Sequence, residues 1–158
     1  MILSRSADYG LRALIHLAQA AREVPVPLER IAEVQRVPAA LLSKILQALV
    51  KAGVLRSHRG YGGGFVLVAE PTKLSLEAVI EAIDGPLVVF ECLDDETFCE
   101  LCQGCRLQER LREVERAMRG ILRSTTLADC LPLRPCDGVA PAIVREAKGA
   151  STPLPTAT

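Results

Sequence analysis

Apolar residues recur at helical spacing over residues 4–22, SRSADYGLRALIHLAQAAR, where Leu11, Leu14, Ile15 and Ala18 share one face and Arg12, His16 and Gln19 another. Ser4 or Ser6 supplies an N-terminal cap. VPVP then breaks the helix, and Pro27 suits the first position of a short second helix from Leu28 to about Gln35. After a break at Val37 and Pro38, PAALLSKILQALVKAG predicts a third helix. Leu41, Leu42, Ile45, Leu46 and Leu49 point inward, and Gly53 lies just past its end as a C-cap.

The period then shortens to two. VLRSH, residues 54–58, and FVLVA, residues 65–69, read as short strands flanking RGYGGG, whose glycines accept the positive φ angles of a tight hairpin. Three helices followed by a hairpin is the order of a winged helix-turn-helix. Ser75 caps a fourth helix running to about Asp84, and PLVVF continues extended into a cysteine-rich loop. From Arg106 to Arg123, Leu107, Leu111, Val114, Met118 and Ile121 alternate by four and three, the narrow seam of a helix that pairs with a second copy. The competing reading packs this seam on its own domain. TTLADCL predicts a short helix opened by Thr125 or Thr126, and the proline-rich remainder a mobile tail.

The expected fold class is therefore mostly α with a small β-hairpin. A winged helix-turn-helix domain spans 1–85, a cysteine loop and long C-terminal dimerisation helix span 86–132, and a flexible tail spans 133–158. A chain of 158 residues, 49% of them hydrophobic, suits a single core. The sequence contains neither a secretory signal pattern nor an apolar run of membrane-spanning length, so a cytoplasmic location away from membranes is expected. In that reducing setting six cysteines point to metal or redox chemistry rather than disulfides.

The formal net charge of zero hides a division. Residues 1–68 carry nine basic and four acidic side chains, residues 69–105 one and nine, and residues 106–158 nine and six. The basic first third suits a polyanion such as double-stranded DNA. In a helix-turn-helix the second helix of the motif enters the major groove, and here its polar side carries Ser43, Lys44, Gln47 and Lys51. Gln47 is the base-reading candidate, and Lys44 and Lys51 are candidates for phosphate. The hairpin tip offers His58, Arg59 and Tyr61 to a minor groove. Ser4, Arg5 and Tyr9 are further phosphate candidates. A nucleotide-binding glycine loop is excluded, because a strand follows these glycines and the fingerprint spacing is absent.

ECLDDETFCELCQGC places Cys92, Cys99, Cys102 and Cys105 within fourteen residues, the last three at two-residue spacing. Such spacing serves iron–sulfur clusters and zinc alike. Glu91, Asp94, Asp95, Glu96 and Glu100 surround the thiols with negative charge. That field disfavours free thiolates and argues against a thiol catalyst.

MILSRSADYGLRALIHLA, SHRGYGGGFVL, SLEAVIEAIDG, the cysteine loop and TTLADCL together resemble the Rrf-two (Rrf2) family of winged-helix transcription regulators over about residues 1–132. That resemblance implies a homodimer on a palindromic operator, joined through the long C-terminal helix. It also implies an iron–sulfur cluster, 2Fe-2S or 4Fe-4S, held by three loop cysteines and a variable fourth ligand. Cys92 and Cys105 match the outer positions and Cys99 the middle one, while Cys102 is an additional sulfur. Six residues separate Cys92 from Cys99 where many members have five. Gln108 stands where the biogenesis-regulator branch has histidine, and Asp8 matches the aspartate ligand that the nitric-oxide-responsive branch takes from the partner subunit. Arg59 matches the family's minor-groove arginine. Cys130 reads as core, and Cys136 has no assigned role.

The expected function is a non-enzymatic, homodimeric DNA-binding regulator whose operator affinity is controlled by the cluster in response to nitric oxide, redox or iron status. Two alternatives are a regulator with structural zinc or a thiol switch in the same loop, and a thiol-redox or electron-transfer protein.

Overall fold

The structure is a computed structural model that describes residues 3–21, 23–60, 62–90, 93 and 105–132. Helix α1, Arg5–Gln19, starts where the Ser4 hydroxyl accepts the N–H of Ala7 at 3.0 Å. It stops at Gln19, three residues earlier than the pattern predicts, as Ala20 turns extended. Its buried side is also rotated from the expected one. Ala7, Gly10, Ala13, Leu14, His16 and Leu17 are buried, whereas Leu11, Ile15 and Ala18 are only partly so. His16, assigned to the polar face by periodicity, is therefore inside. Small residues cause the shift: at Gly10 the backbone lies against Ile83 and Ile45, where a Cβ would collide, so a neighbouring helix covers that side.

Helix α2, Leu28–Gln35, has the expected bounds, with Pro27 just before its first residue instead of at the first helical position. Pro27 is its N-cap, and the Pro27 carbonyl accepts the N–H groups of Arg30 and Ile31. Arg36 closes α2 in the left-handed region at φ 54°. Helix α3, Ala39–Lys51, follows Pro38 and buries Leu42, Ile45, Leu46 and Leu49, while Leu41, expected inward, sits at the edge of the core.

The hairpin pairs β1, Leu55–His58, with β2, Gly64–Leu67, from Leu55 opposite Leu67 to His58 opposite Gly64. The second strand ends before Ala69 because the N–H groups of Val68 and Ala69 both turn to the Val54 carbonyl. A third partner, unseen in the sequence pattern, is Val26. It exchanges two backbone hydrogen bonds with Phe65, 3.0 and 2.9 Å long, so the VPVP break also pins the wing to the body. Gly64 makes this approach possible, since a Cβ there would run into the Val26 carbonyl.

Helix α4, Leu76–Asp84, is capped by the Ser75 hydroxyl and ends at Gly85 with φ 88°. Helix α5, Arg106–Ser124, follows the cysteine-rich segment of the sequence, and none of its described side chains is buried. The chain then returns to the winged domain. Leu76 N–H donates to Thr125 at 2.9 Å, Leu127 N–H donates to Leu74 at 2.8 Å, and Leu127 is fully buried in the main core. The short helix expected here is a single 3₁₀ turn, Ala128–Cys130, in which the N–H and hydroxyl of Thr126 donate to Asp129. Cys130, read as core, is half-buried.

The main core joins α1, α2, α3, both strands and Leu127. A smaller apolar cluster of Ala7, Ile80 and Leu87, with Val89 and Leu122 against it, lies where α1, α4, α5 and the stretch just after Gly85 meet. Among the described residues no helix is long and apolar enough to cross a membrane.

Candidate nucleic-acid interface

Core packing decides which side of α3 meets solvent. With Leu42, Ile45, Leu46 and Leu49 turned inward, Lys44, Gln47 and Lys51 are exposed and Ser43 is half-buried. Gln47 lines a cleft of about 320 Å³ between the helix-turn-helix and the hairpin, together with Leu28, Glu29, Ser57, His58 and Arg59. The structure thus brings Gln47, His58 and Arg59 onto one surface, with both hairpin side chains exposed. Tyr61 lies outside the described residues.

At the start of α1, Arg5 is exposed. Ser4 is already occupied, because besides capping α1 its hydroxyl donates to Asp84 Oδ1 at 2.7 Å. Tyr9 is half-buried against the core, with the Arg12 guanidinium 5.8 Å from its ring centre. Asp8 is half-exposed, and its carboxylate lies 3.6 Å from Arg12. Arg12 in turn donates to the Gln35 carbonyl at 2.5 Å, which ties α1 to the last turn of α2.

Of the expected metal ligands, Cys105 and Asp8 are described, while Cys92, Cys99 and Cys102 lie outside the described residues, as do Cys136 and the tail. Cys105 is the N-cap residue of α5 and half-buried, and its own side chain makes no capping hydrogen bond. The positive end of the helix dipole there suits an anionic ligand such as a thiolate. Four thiols, with a carboxylate in reserve, are a donor set that fits an iron–sulfur cluster.

Sequence reading missed the joint between α4 and α5. Glu77 is buried, and both Arg119 and Arg123 reach it: Arg123 Nε lies 2.7 Å from Oε2, and Arg119 Nη1 3.4 Å from Oε1. The hydrogen bond from Arg123 holds the Glu77 carboxyl below its ordinary range against the opposing effect of burial, with help from the charges of both arginines. Arg119 also meets Glu81 at 3.5 Å and Glu115 at 3.4 Å, and donates to the Leu87 carbonyl. The signal was present as two four-residue spacings of opposite charge, Glu77 with Glu81 and Arg119 with Arg123.

A second missed feature is His16, whose Nε2 is buried with no hydrogen-bond partner among the described residues. Burial, and to a lesser degree the charge of Arg30, lowers its pKa from the ordinary 6.5.

Residues 3–132 match the family described as Rrf2, iron-dependent transcriptional regulator. The chain belongs to the Rrf2 family. It is 33% identical over 129 residues to the HTH-type transcriptional regulator CymR of Bacillus subtilis, covering 82% of this chain and 88% of that one. The solved structure of the same CymR, described as the global cysteine regulator of that organism, superposes with a TM-score of 0.66 at 32% identity, over 82% of this chain and 95% of that one. Identity is 31% over 132 residues to the regulator IscR of Serratia proteamaculans, covering 82% and 78% of the two chains. It is 30% over 130 residues to the regulator NsrR of Shouchella clausii, covering 82% and 87%. Its winged helices and hairpin are thus those of a DNA-binding transcriptional regulator rather than an enzyme.

Proposed function

We propose that this Rrf2 regulator binds a palindromic operator as a homodimer and that an iron–sulfur cluster in its cysteine loop controls the affinity. One observation carries the reading: four thiols within fourteen residues occupy the connection between the winged domain and α5, the helix with the exposed apolar stripe. The family's description as iron-dependent supports it. Cys92, Cys99 and Cys105, with Cys102 or Asp8 as the fourth donor, would hold the cluster. When bound, it supplies a centre that reacts with nitric oxide or oxygen and is lost when iron is scarce.

The chain's own residues do the rest. Ser43, Lys44, Gln47 and Lys51 present α3 to the major groove, and His58, Arg59 and Tyr61 present the wing to the minor groove. Arg5, with Ser4 and Tyr9 near it, meets the flanking phosphates. Leu107, Val114 and Ile121, exposed by 64%, 45% and 65%, form the stripe that a second copy covers. Because two recognition helices must fit two half-sites, a small change in their separation costs affinity.

The test is oxygen-free purification with iron and sulfide analysis and a visible spectrum. Operator affinity of loaded and stripped protein is then compared at one salt concentration, on a site selected from random DNA. Equal affinity removes the switch, and protein free of iron and sulfide that still binds its operator normally removes the cluster.

The two-residue spacing of Cys99, Cys102 and Cys105, which serves zinc as well as iron–sulfur clusters, supports a second reading in which the loop thiols brace the dimer around zinc or respond directly. Zinc protein is colourless and keeps its metal in air.

A further inference from the structure

We propose that Arg119 is the positioning residue through which the segment entering the cysteine loop sets the angle of α5 against the winged domain, and hence the spacing of the two recognition helices. This deepens the cluster-switch reading and rests on the dimer proposed with it.

Arg119 makes contacts that no neighbour combines. It meets Glu77 and Glu81 on α4, Glu115 on its own helix, and the carbonyl of Leu87. Leu87 is buried two residues beyond Gly85, the C-cap of α4, in the stretch that leads to Cys92. A guanidinium is a planar, rigid fork, so a displaced Leu87 carbonyl moves the group that also grips α4. Among the described residues no side chain of α5 is buried; Leu122 packs against the Ala7, Ile80 and Leu87 cluster, and Thr125 and Leu127 tie the chain back to the winged domain after the helix ends. Helix α4 in turn packs on α1 and α3, so its tilt relative to α5 carries to the reading helix. Arg123 provides the internal contrast, since among the described residues its hydrogen bonds go to Glu77 and not to the stretch after α4.

The test compares Arg119→Gln, Arg119→Lys and Arg123→Gln with the wild type as full-length protein purified without oxygen. Iron and sulfide content, dimer mass and thermal stability are the controls. Two quantities are read: the ratio of operator affinities of loaded and stripped protein, and the loss of affinity on operators with the half-sites one base pair closer or farther apart. The expected wild-type ratio is about five-fold or more. In Arg119→Gln it falls toward one and the spacing preference flattens, with cluster content unchanged. Arg119→Lys, which keeps the charge and loses the fork, behaves alike and decides the matter if Arg119→Gln does not fold. Arg123→Gln loses stability but keeps both readouts. Wild-type ratio and spacing preference in both Arg119 variants overturn the proposal. So does an Arg123→Gln protein altered as much as Arg119→Gln, which makes the cluster of charges a plain brace. If the wild-type ratio is itself one, the cluster switch fails on its own, and the spacing preference alone upholds or overturns the role of Arg119.

Discussion

Arg123 on α5 reaches back 46 residues to Glu77 on α4, with its Nε 2.7 Å from Oε2 and its Nη2 3.2 Å from Oε1. The acceptor is buried and the donor largely exposed, so the carboxylate depends on Arg123 far more than Arg123 depends on it.

Glu77→Gln should therefore destabilise the fold by about 1–3 kcal/mol, the cost of breaking charged hydrogen bonds in a buried setting. A urea midpoint measured at neutral pH checks this. The lowered pKa of Glu77 fixes the pH window. Its contribution is fully present above the ordinary value of 4.5 and is lost as pH falls through the lower folded value. The wild type should lose its advantage over Glu77→Gln only below about pH 4.5, and a constant gap down to pH 2 would refute the linkage.

His16 predicts the opposite end of the acid range. Its folded pKa lies below 6.5, because burial first and Arg30 second oppose the charge. As pH falls through 6.5 the unfolded chain takes up a proton that the folded chain refuses, so stability declines until the lower folded value is reached. In His16→Gln this slope between pH 6.5 and the acid transition should disappear. Equal slopes in the two proteins would show that another group is responsible.

On DNA, the exposed side chains of α3 and the wing should separate by role. Lys44→Ala should weaken binding to all sequences alike and lower the salt slope by about one. Gln47→Ala, in the cleft beside the wing, should relax discrimination at one base position by about 1–3 kcal/mol. Arg59→Ala should reduce the preference for narrow, A·T-rich minor groove beside each half-site. Fluorescence anisotropy over a salt series with single-base operator variants reads all three.

Val114 stands in the middle of the apolar stripe and is 45% exposed in the single chain. Val114→Glu should leave the fold intact, since among the described residues Val114 belongs to neither apolar cluster, and shift the protein toward monomer in sedimentation at micromolar concentration. Unchanged dimer mass would move the interface elsewhere.

Much of this protein was determined by local chemistry and so was legible in its sequence. Ser4 and Ser75 cap α1 and α4 because a hydroxyl before an apolar-periodic run satisfies the first free N–H groups, wherever the helix later packs. The glycines of RGYGGG dictate a hairpin, and the spacing of Leu107, Val114 and Ile121 dictates a one-sided stripe, for the same local reason.

Tertiary structure alone decided what depends on neighbours. His16 is buried because Ala7, Gly10 and Ala13 let other helices close on that side of α1, and periodicity weighted by large residues points elsewhere. Val26 pairs with Phe65, Leu127 fills the core, and Glu77 meets two arginines more than forty residues away. Each of these is an encounter between distant segments. A helix's period records which of its faces is apolar, but only the packed chain determines which surfaces press together and which charges must then find each other.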